Sequence, residues 1–370
     1  MGSSISSKTS DLLSEIRLLW DGHGLNRPGS GIHRHAYSMY PFLNRMGLRP
    51  RILDLGTDSH GPFYKKIFGS KVFSPNLSGR KLKSLDREDS RIIFHGLANC
   101  NLPRGGWFFS RFSSVLTIHD VIPLLAPNLV SKVSRFQVKY CLDSILPRVE
   151  KVICVSEWTR RTLCRLYPEV EEKAWVIPNG IEPLDHRGPL IDDGKIKVLS
   201  ILRYEHYKNF GSLKSVVDKG SDDLSMDVVT DTKGLKWFKE KYPEGLENGR
   251  LKVHVGLSDH ELTRLINQAT VYMSPSMFEG FCLPVAEALS RGVPVVYCSG
   301  SGIDEVVSPE VGFPLSPGSC GNDWLECIDL AHKMNWDQSF LMRVEEHLSS
   351  KASWEEVTSL LADLYVKLMR

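Results

Sequence analysis

MFEGFCLPVAEALSRGVPVV, residues 277–296, carries two acids, Glu279 and Glu287, with seven residues between them. The run before it, ATVYMSPS (269–276), is β-branched and apolar; the run after, VPVVYCS (293–299), is another such strand pattern. Between them, Glu279 and Gly280 fall in a turn. Pro284 suits a first helical turn, where its missing N–H has no intrahelical acceptor to lose. Val285, Ala286, Ala288 and Leu289 then give the helix an apolar face. The unit reads strand, turn, helix, strand. Free N–H groups at Phe281, Cys282 and Leu283 at the helix start form a ready site for a diphosphate. Glu287, expected in the first turn, is placed to accept hydrogen bonds from ribose hydroxyls, as an acid does in dinucleotide folds. Acids near a helix start are also favoured by the helix dipole alone. Glu279, before a glycine in a loop, has no such bland explanation.

The same alternation extends in both directions. Strand patterns recur at 16–21, 51–56, 91–96, 113–120 and 151–156, and again at 195–202, 225–231, 251–256, 269–276 and 293–299. Helical patterns such as 134–150 and 260–269 lie between them. Near-continuous apolar strands separated by helices predict parallel sheets covered on both faces, an α/β doubly wound architecture. The series runs twice, with the Pro-, Gly- and Asp-rich stretch 177–195 between the halves. A chain of 370 residues exceeds the roughly 250–300 that one core serves, so two domains are expected, with a cleft between them. The expected division is a disordered tail 1–15, a first domain 16–180, a linker 181–194, a second domain 195–350 and a terminal helix 351–370. In that helix Ser353 and Glu356 have capping-box spacing, and Trp354, Val357, Leu360, Leu361, Leu364 and Leu368 share one side.

Composition narrows the function classes. Forty-six basic and 44 acidic residues leave a formal charge of +2, which argues against nucleic-acid binding. Basic residues do punctuate the first half, among them Lys132, Arg135, Lys139 and Arg148, where contact with an anionic membrane competes with a plain solvated face. Eight cysteines include no Cys-x-x-Cys pair and no metal-ligand spacing, so they read as reduced thiols in the cytoplasm, with no metal expected. No apolar run approaches the ~20 residues of a membrane span. The start fits the loose N-myristoylation pattern through Gly2 and Ser6, but a polar tail explains it more simply. No strand–GxGxxG–helix unit with an acid ~20 residues on is present, which disfavours a dehydrogenase.

EGFCLPVAEALSRGVPVV resembles the E-x7-E signature of retaining glycosyltransferases of the GT-B fold, in the large family 4 type that includes mannosyl- and rhamnosyltransferases. Cys282 stands where that family mostly has glycine. SILRYEHYKNF (200–210) resembles the family's GRxxxxKN segment, with Leu202 in place of the glycine. PGSGIHRHAYSMYPFL (28–43) resembles its glycine-rich loop and helix, with Gly29 and Gly31 kept and His33 and His35 replacing commoner residues. SVLTIHDVIPLL (114–125) resembles its strand ending in His-Asp, and FHGLANCNLP (94–103), VICVSEWTRRTL (152–163) and VIPNGIEP (176–183) follow in the family's order.

The resemblance implies two Rossmann-like domains facing a central cleft, with the last helix crossing back to the first. It implies a hexosyltransferase that needs neither cofactor nor metal, with a nucleoside-diphosphate sugar as co-substrate. GDP-mannose comes first by the His-Asp and IPNG segments. The implied acceptor is a glycan or lipid-linked hydroxyl in cell-surface polysaccharide synthesis, at the inner face of the membrane. His119 and Glu279 would position the sugar. Gly31, Arg203, Lys208, Gly280, Phe281, Cys282, Leu283 and Glu287 would hold the donor. The alternatives are a UDP-sugar enzyme, or a nucleotide-sugar-binding protein whose catalysis Cys282, Leu202 and His33 have impaired.

Overall fold

The computed structural model describes residues 13, 15–21, 25, 30–53, 72–73, 91–99, 102, 106–185 and 193–369. The expected tail apart from Leu13 and Glu15, the myristoylation pattern and Gly29 lie outside the described residues. The chain divides into two compact units, one of residues 1–125, 132–180 and 352–370, the other of 126–131 and 181–351.

In the first unit, β1 (Ile16–Asp21), β2 (Arg51–Leu53), β3 (Val72–Phe73), β4 (Arg91–Gly96), β5 (Ser113–Ile118), β6 (Lys151–Cys154) and β7 (Ala174–Val176) form one sheet. Its order is β3-β2-β1-β4-β5-β6-β7, with every pairing parallel. In the second, β8 (Ile196–Ile201), β9 (Leu224–Thr230), β10 (Leu251–Val255), β11 (Val271–Ser274), β12 (Val295–Cys298) and β13 (Gly312–Leu315) form another. Its order is β10-β9-β8-β11-β12-β13, again all parallel. Each is a Rossmann-like sheet. In each the chain starts centrally, winds outward, then returns to the other side of its first strand. The reversal lies at β1/β4 in one sheet and β8/β11 in the other, and ligands favour the carboxyl ends of strands at such a point.

Burial explains why these segments are strands. In β11 and β12 all residues are buried, and β5 is buried from Ser114 onward, so none needs a polar face. β9 alternates buried and half-buried positions. Three short strands escaped the sequence pattern: β3, β7 and β13. All stand at sheet edges, and β13 contains Gly312 and Pro314, which a sequence pattern counts as breakers. The helix expected over 134–150 covers Lys132–Ile145 and stops short of Pro147.

Four further helices matter below: α1 (Gly31–Arg45), α2 (Phe210–Lys219), α3 (Leu283–Ser290) and α4 (Trp354–Leu368). Helix α4 belongs to the first unit, where it packs against α1. Its capping box is formed: the Glu356 N–H donates to Ser353 Oγ at 3.2 Å, and the Ser353 N–H to Glu356 Oε2 at 2.8 Å. Leu360 is the exception to the expected apolar side. It is exposed, and Thr358, Ala362, Tyr365 and Val366 are buried instead, so the stripe is wider and rotated from the leucine pattern.

Candidate functional site

The reversal at β8/β11 brings the two family-like segments of the second unit together. Strand β8 feeds the 203–209 loop, β11 feeds the 275–282 turn, and Val198 and Leu199 pair with Val271 and Tyr272. The loop and turn therefore leave adjacent strand ends. They are stitched where the Met277 N–H donates to the Tyr207 carbonyl at 2.8 Å. Lys208 Nζ then donates to Glu279 Oε1 at 2.5 Å, and both side chains are mostly shielded from solvent. Burial opposes the Lys208 charge, but the Glu279 carboxylate outweighs it and holds the ammonium above its ordinary range. Asn209 follows with φ 54°, a left-handed conformation that asparagine tolerates, and starts α2. The Lys-Asn pair thus has two jobs, one charge and one turn. Leu202, where the family has glycine, is buried in the second unit's core. Arg203 next to it is exposed.

The turn bearing Glu279 is shaped by residues that the sequence pattern did not single out. The Glu279 N–H donates to Ser301 Oγ at 3.2 Å, and the Gly302 N–H donates to the Glu279 carbonyl at 2.9 Å. A Cβ at Gly302 would lie 2.1 Å from the Gly280 oxygen, so only glycine permits this approach. The signal was the SGSG run at 299–302, legible only once β12 is known to end beside β11.

Cys282 sits at the N-cap of α3 with φ 75°. This is a left-handed position that costs a residue with a Cβ roughly 1–2 kcal/mol and that glycine would adopt without that cost. The cysteine takes the same backbone turn, with its thiol 3.9 Å from Ser274 Oγ. Burial, reinforced by the Glu279 carboxylate, pushes that thiol up to about 12. Phe281 and Leu283 are buried on either side of it, and Gly280 is buried before them. The first N–H groups of α3 have no acceptor within the helix. Glu287 is the fifth residue of α3, not in its first turn, which contains no acid. A helix-dipole preference, which fades beyond the first turn, therefore does not account for it.

In the first unit the carboxyl strand ends gather histidines instead. His119 directly follows β5, and its Nε2 lies 2.9 Å from the Leu97 carbonyl. A carbonyl only accepts, so Nε2 carries the proton and Nδ1 of the neutral ring keeps a lone pair. Asn99 holds the backbone: its Oδ1 accepts from the His119 N–H at 3.0 Å and its Nδ2 donates to the Asp120 carbonyl at 2.6 Å. Burial pulls the His119 pKa below its ordinary value. His35, on α1, meets His119 edge-on at 5.2 Å and Asn179 Oδ1 at 2.6 Å. His95, in β4, bridges Tyr365 Oη at 2.6 Å and Thr117 Oγ1 at 2.7 Å. Burial, with added repulsion from neighbouring histidines, takes both His35 and His95 down to about 3. Gly31 opens α1; a Cβ there would meet nothing within 4 Å, so packing does not demand the glycine.

The IPNG segment also belongs here. Asn179 holds His35, and a Cβ at Gly180 would lie 2.5 Å from the Trp354 backbone. These two residues therefore do structural work in the first unit, which weakens their use as a pointer to the donor.

Two family models cover most of the chain. Residues 29–183 match Glycosyltransferase Family 4, and residues 182–331 match Glycosyl transferases group 1. Each half of the chain thus matches a glycosyltransferase family model, and the two Rossmann-like sheets have the GT-B fold. It is similar to an uncharacterized glycosyltransferase of Methanocaldococcus jannaschii, 22% identical over 253 residues, covering 58% of this chain and 59% of that one. It is also similar to the MMP alpha-(1->4)-mannosyltransferase of Mycolicibacterium hassiacum, 46% identical over 55 residues, which is 15% of this chain and 13% of that protein. The chain thus spans less than two thirds of the first relative and about an eighth of the second. Among solved structures, Anabaena HepE in complex with UDP superimposes with a TM-score of 0.73 at 17% identity, covering 95% of this chain and 99% of that one. At that identity the likeness is one of fold.

Proposed function

We propose that the chain transfers a hexosyl group from a nucleoside-diphosphate sugar to a hydroxyl of a glycan or lipid-linked acceptor, with retention at the anomeric carbon. The carrying observation is the shielded Lys208–Glu279 pair beside the start of α3, at the strand reversal of the second sheet. As the donor bond breaks, the anomeric carbon gains positive character and negative charge collects on the departing diphosphate. The Lys208 ammonium, the Arg203 guanidinium and the N–H groups of Phe281, Cys282 and Leu283 are the groups that meet this charge. Two cations and a helix start suffice to neutralise two phosphates, so the reading needs no metal. Glu287 accepts from the ribose hydroxyls. Glu279 steadies Lys208 and, next to Gly280, orients the hexose. In the first unit, the lone pair left on His119 Nδ1 accepts from a hexose hydroxyl, and Gly31 lets backbone approach the substrate.

GDP-mannose is the first donor to test, supported by the mannosyltransferase relative. A UDP-sugar is the second reading, favoured by the UDP found in the Anabaena neighbour. A lipid-linked acceptor would place the protein on the inner membrane face.

Thermal unfolding with GDP, UDP, ADP and dTDP separates these readings. A nucleotide at 100 times its Kd adds roughly 2.7 kcal/mol of stability. We expect one nucleotide to stabilise the protein and Glu287→Ala to remove that response. If no nucleotide or nucleotide sugar shifts the transition, the donor site is wrong. If a nucleotide sugar binds but is neither transferred nor hydrolysed, the impaired binding protein replaces the enzyme.

A further inference from the structure

The helix Lys132–Ile145 carries an exposed surface that the donor chemistry leaves unused. Its packing side is Val138, Cys141, Leu142 and Ile145. On its other side Val133, Phe136 and Tyr140 are 66%, 69% and 53% exposed. At 100° per residue these three fall within an arc of about 60°, pointing away from the packed side. Phe136 and Tyr140 stack on each other, rings 6.2 Å apart and 7° from parallel. Beside this apolar stripe runs a second, Lys132, Arg135 and Lys139, all exposed and about 100° further round the helix. The helix has one acid, Asp143, and it is already engaged by Lys139 and by the Tyr167 hydroxyl at 2.8 Å.

An exposed aromatic pair costs solubility and gains nothing from the core, so it needs an occupant. A protein partner and a bilayer would both cover apolar area. The adjoining basic stripe, free of unpaired acid, selects a surface that is apolar beneath and negative above. That is the makeup of an anionic lipid surface, where aromatic rings sit at the headgroup level and Lys and Arg meet the lipid charge. No described helix is long and apolar enough to cross a membrane.

We propose that the Val133–Phe136–Tyr140 stripe, flanked by Lys132 and Arg135, docks the first unit onto an anionic bilayer surface. This deepens the membrane-facing part of the proposed function but does not depend on the donor.

The test is co-sedimentation of the whole protein, without nucleotide, with vesicles of phosphatidylcholine alone or containing phosphatidylglycerol. Wild type should bind the anionic vesicles at least tenfold better than the neutral ones. F136S with Y140S should reduce anionic binding at least tenfold, and K132Q with R135Q should remove the preference for anionic lipid. Circular dichroism and the nucleotide response of each variant check that the fold and donor site are kept. Equal binding by wild type and variants, or no binding by wild type, overturns the proposal. So does concentration-dependent self-association that F136S with Y140S abolishes, since the stripe is then an interface between copies. Either result leaves the donor assignment standing.

Discussion

The two units place opposite chemistry at matching positions. At the carboxyl ends of the first sheet, the chain buries imidazoles, with His35 and His95 held uncharged at neutral pH. At the carboxyl ends of the second, it buries a charge and keeps it, because Glu279 compensates Lys208. Burial penalises the ionised form in both places. The difference is the neighbour: other histidines in one case, a carboxylate in the other. A Rossmann-like strand end therefore does not dictate a charged site; the residue facing it does.

Acid should break this symmetry hardest. Folded His35 and His95 resist protonation down to about 3, whereas an unfolded histidine takes a proton near 6.5. Below 6.5 the unfolded chain binds more protons, so stability is full above that pH and falls as pH drops toward 3. Each ring is worth roughly 5 kcal/mol across the window. Urea midpoints measured from pH 7 to 4 should fall steeply, and His95→Gln should flatten the dependence by about one proton. Lys208 works in the opposite sense. Folding favours its charged form, so its contribution persists through neutral pH and is lost only at strongly alkaline pH.

Next in size is Glu279→Ala, which leaves a shielded ammonium without its partner and should cost about 3 kcal/mol. Adding Lys208→Met should recover part of that stability while abolishing the nucleotide response; a double variant as unstable as the single one would mean the pair is not coupled. Gly302→Ala comes third. Its Cβ would collide with the Gly280 carbonyl, so the Glu279 turn must shift, at about 1–3 kcal/mol, with weakened nucleotide binding though residue 302 need not touch the donor. The smallest effect is at Cys282. Cys282→Gly relieves the left-handed backbone and should be stabilising by up to about 1 kcal/mol, while the β-branched Cys282→Val should destabilise by a similar amount. Differential scanning calorimetry reads both.

What was legible in the sequence was local. The E-x7-E stretch placed the strand–turn–helix unit correctly, and the Ser353/Glu356 spacing announced a capping box that formed. Lys208 and Glu279 were each picked out, but their pairing was not, because it depends on β8 and β11 becoming neighbours across 71 residues. His95 looked like one more strand-end residue; its partner Tyr365 lies 270 residues away. Glu287 falls beyond the first turn because the helix already begins at Leu283, one residue before the proline that marks its start in the sequence. Leu360 matched the apolar stripe by type but not by angle.

The return of α4 to the first unit has a consequence for synthesis. Tyr365, which completes the polar setting of His95, and Trp354, which seats against Gly180 and His35, are translated only after the whole of the second unit. At ~5–20 residues per second, they emerge roughly 10–40 s after Gly180. For that interval the amino-terminal sheet exists without its closing helix, while nearly all of the other unit is translated as one continuous stretch. The nascent chain is thus built to finish its second half first, and a premature stop before residue 354 would leave the older half open, with its buried histidines within reach of water.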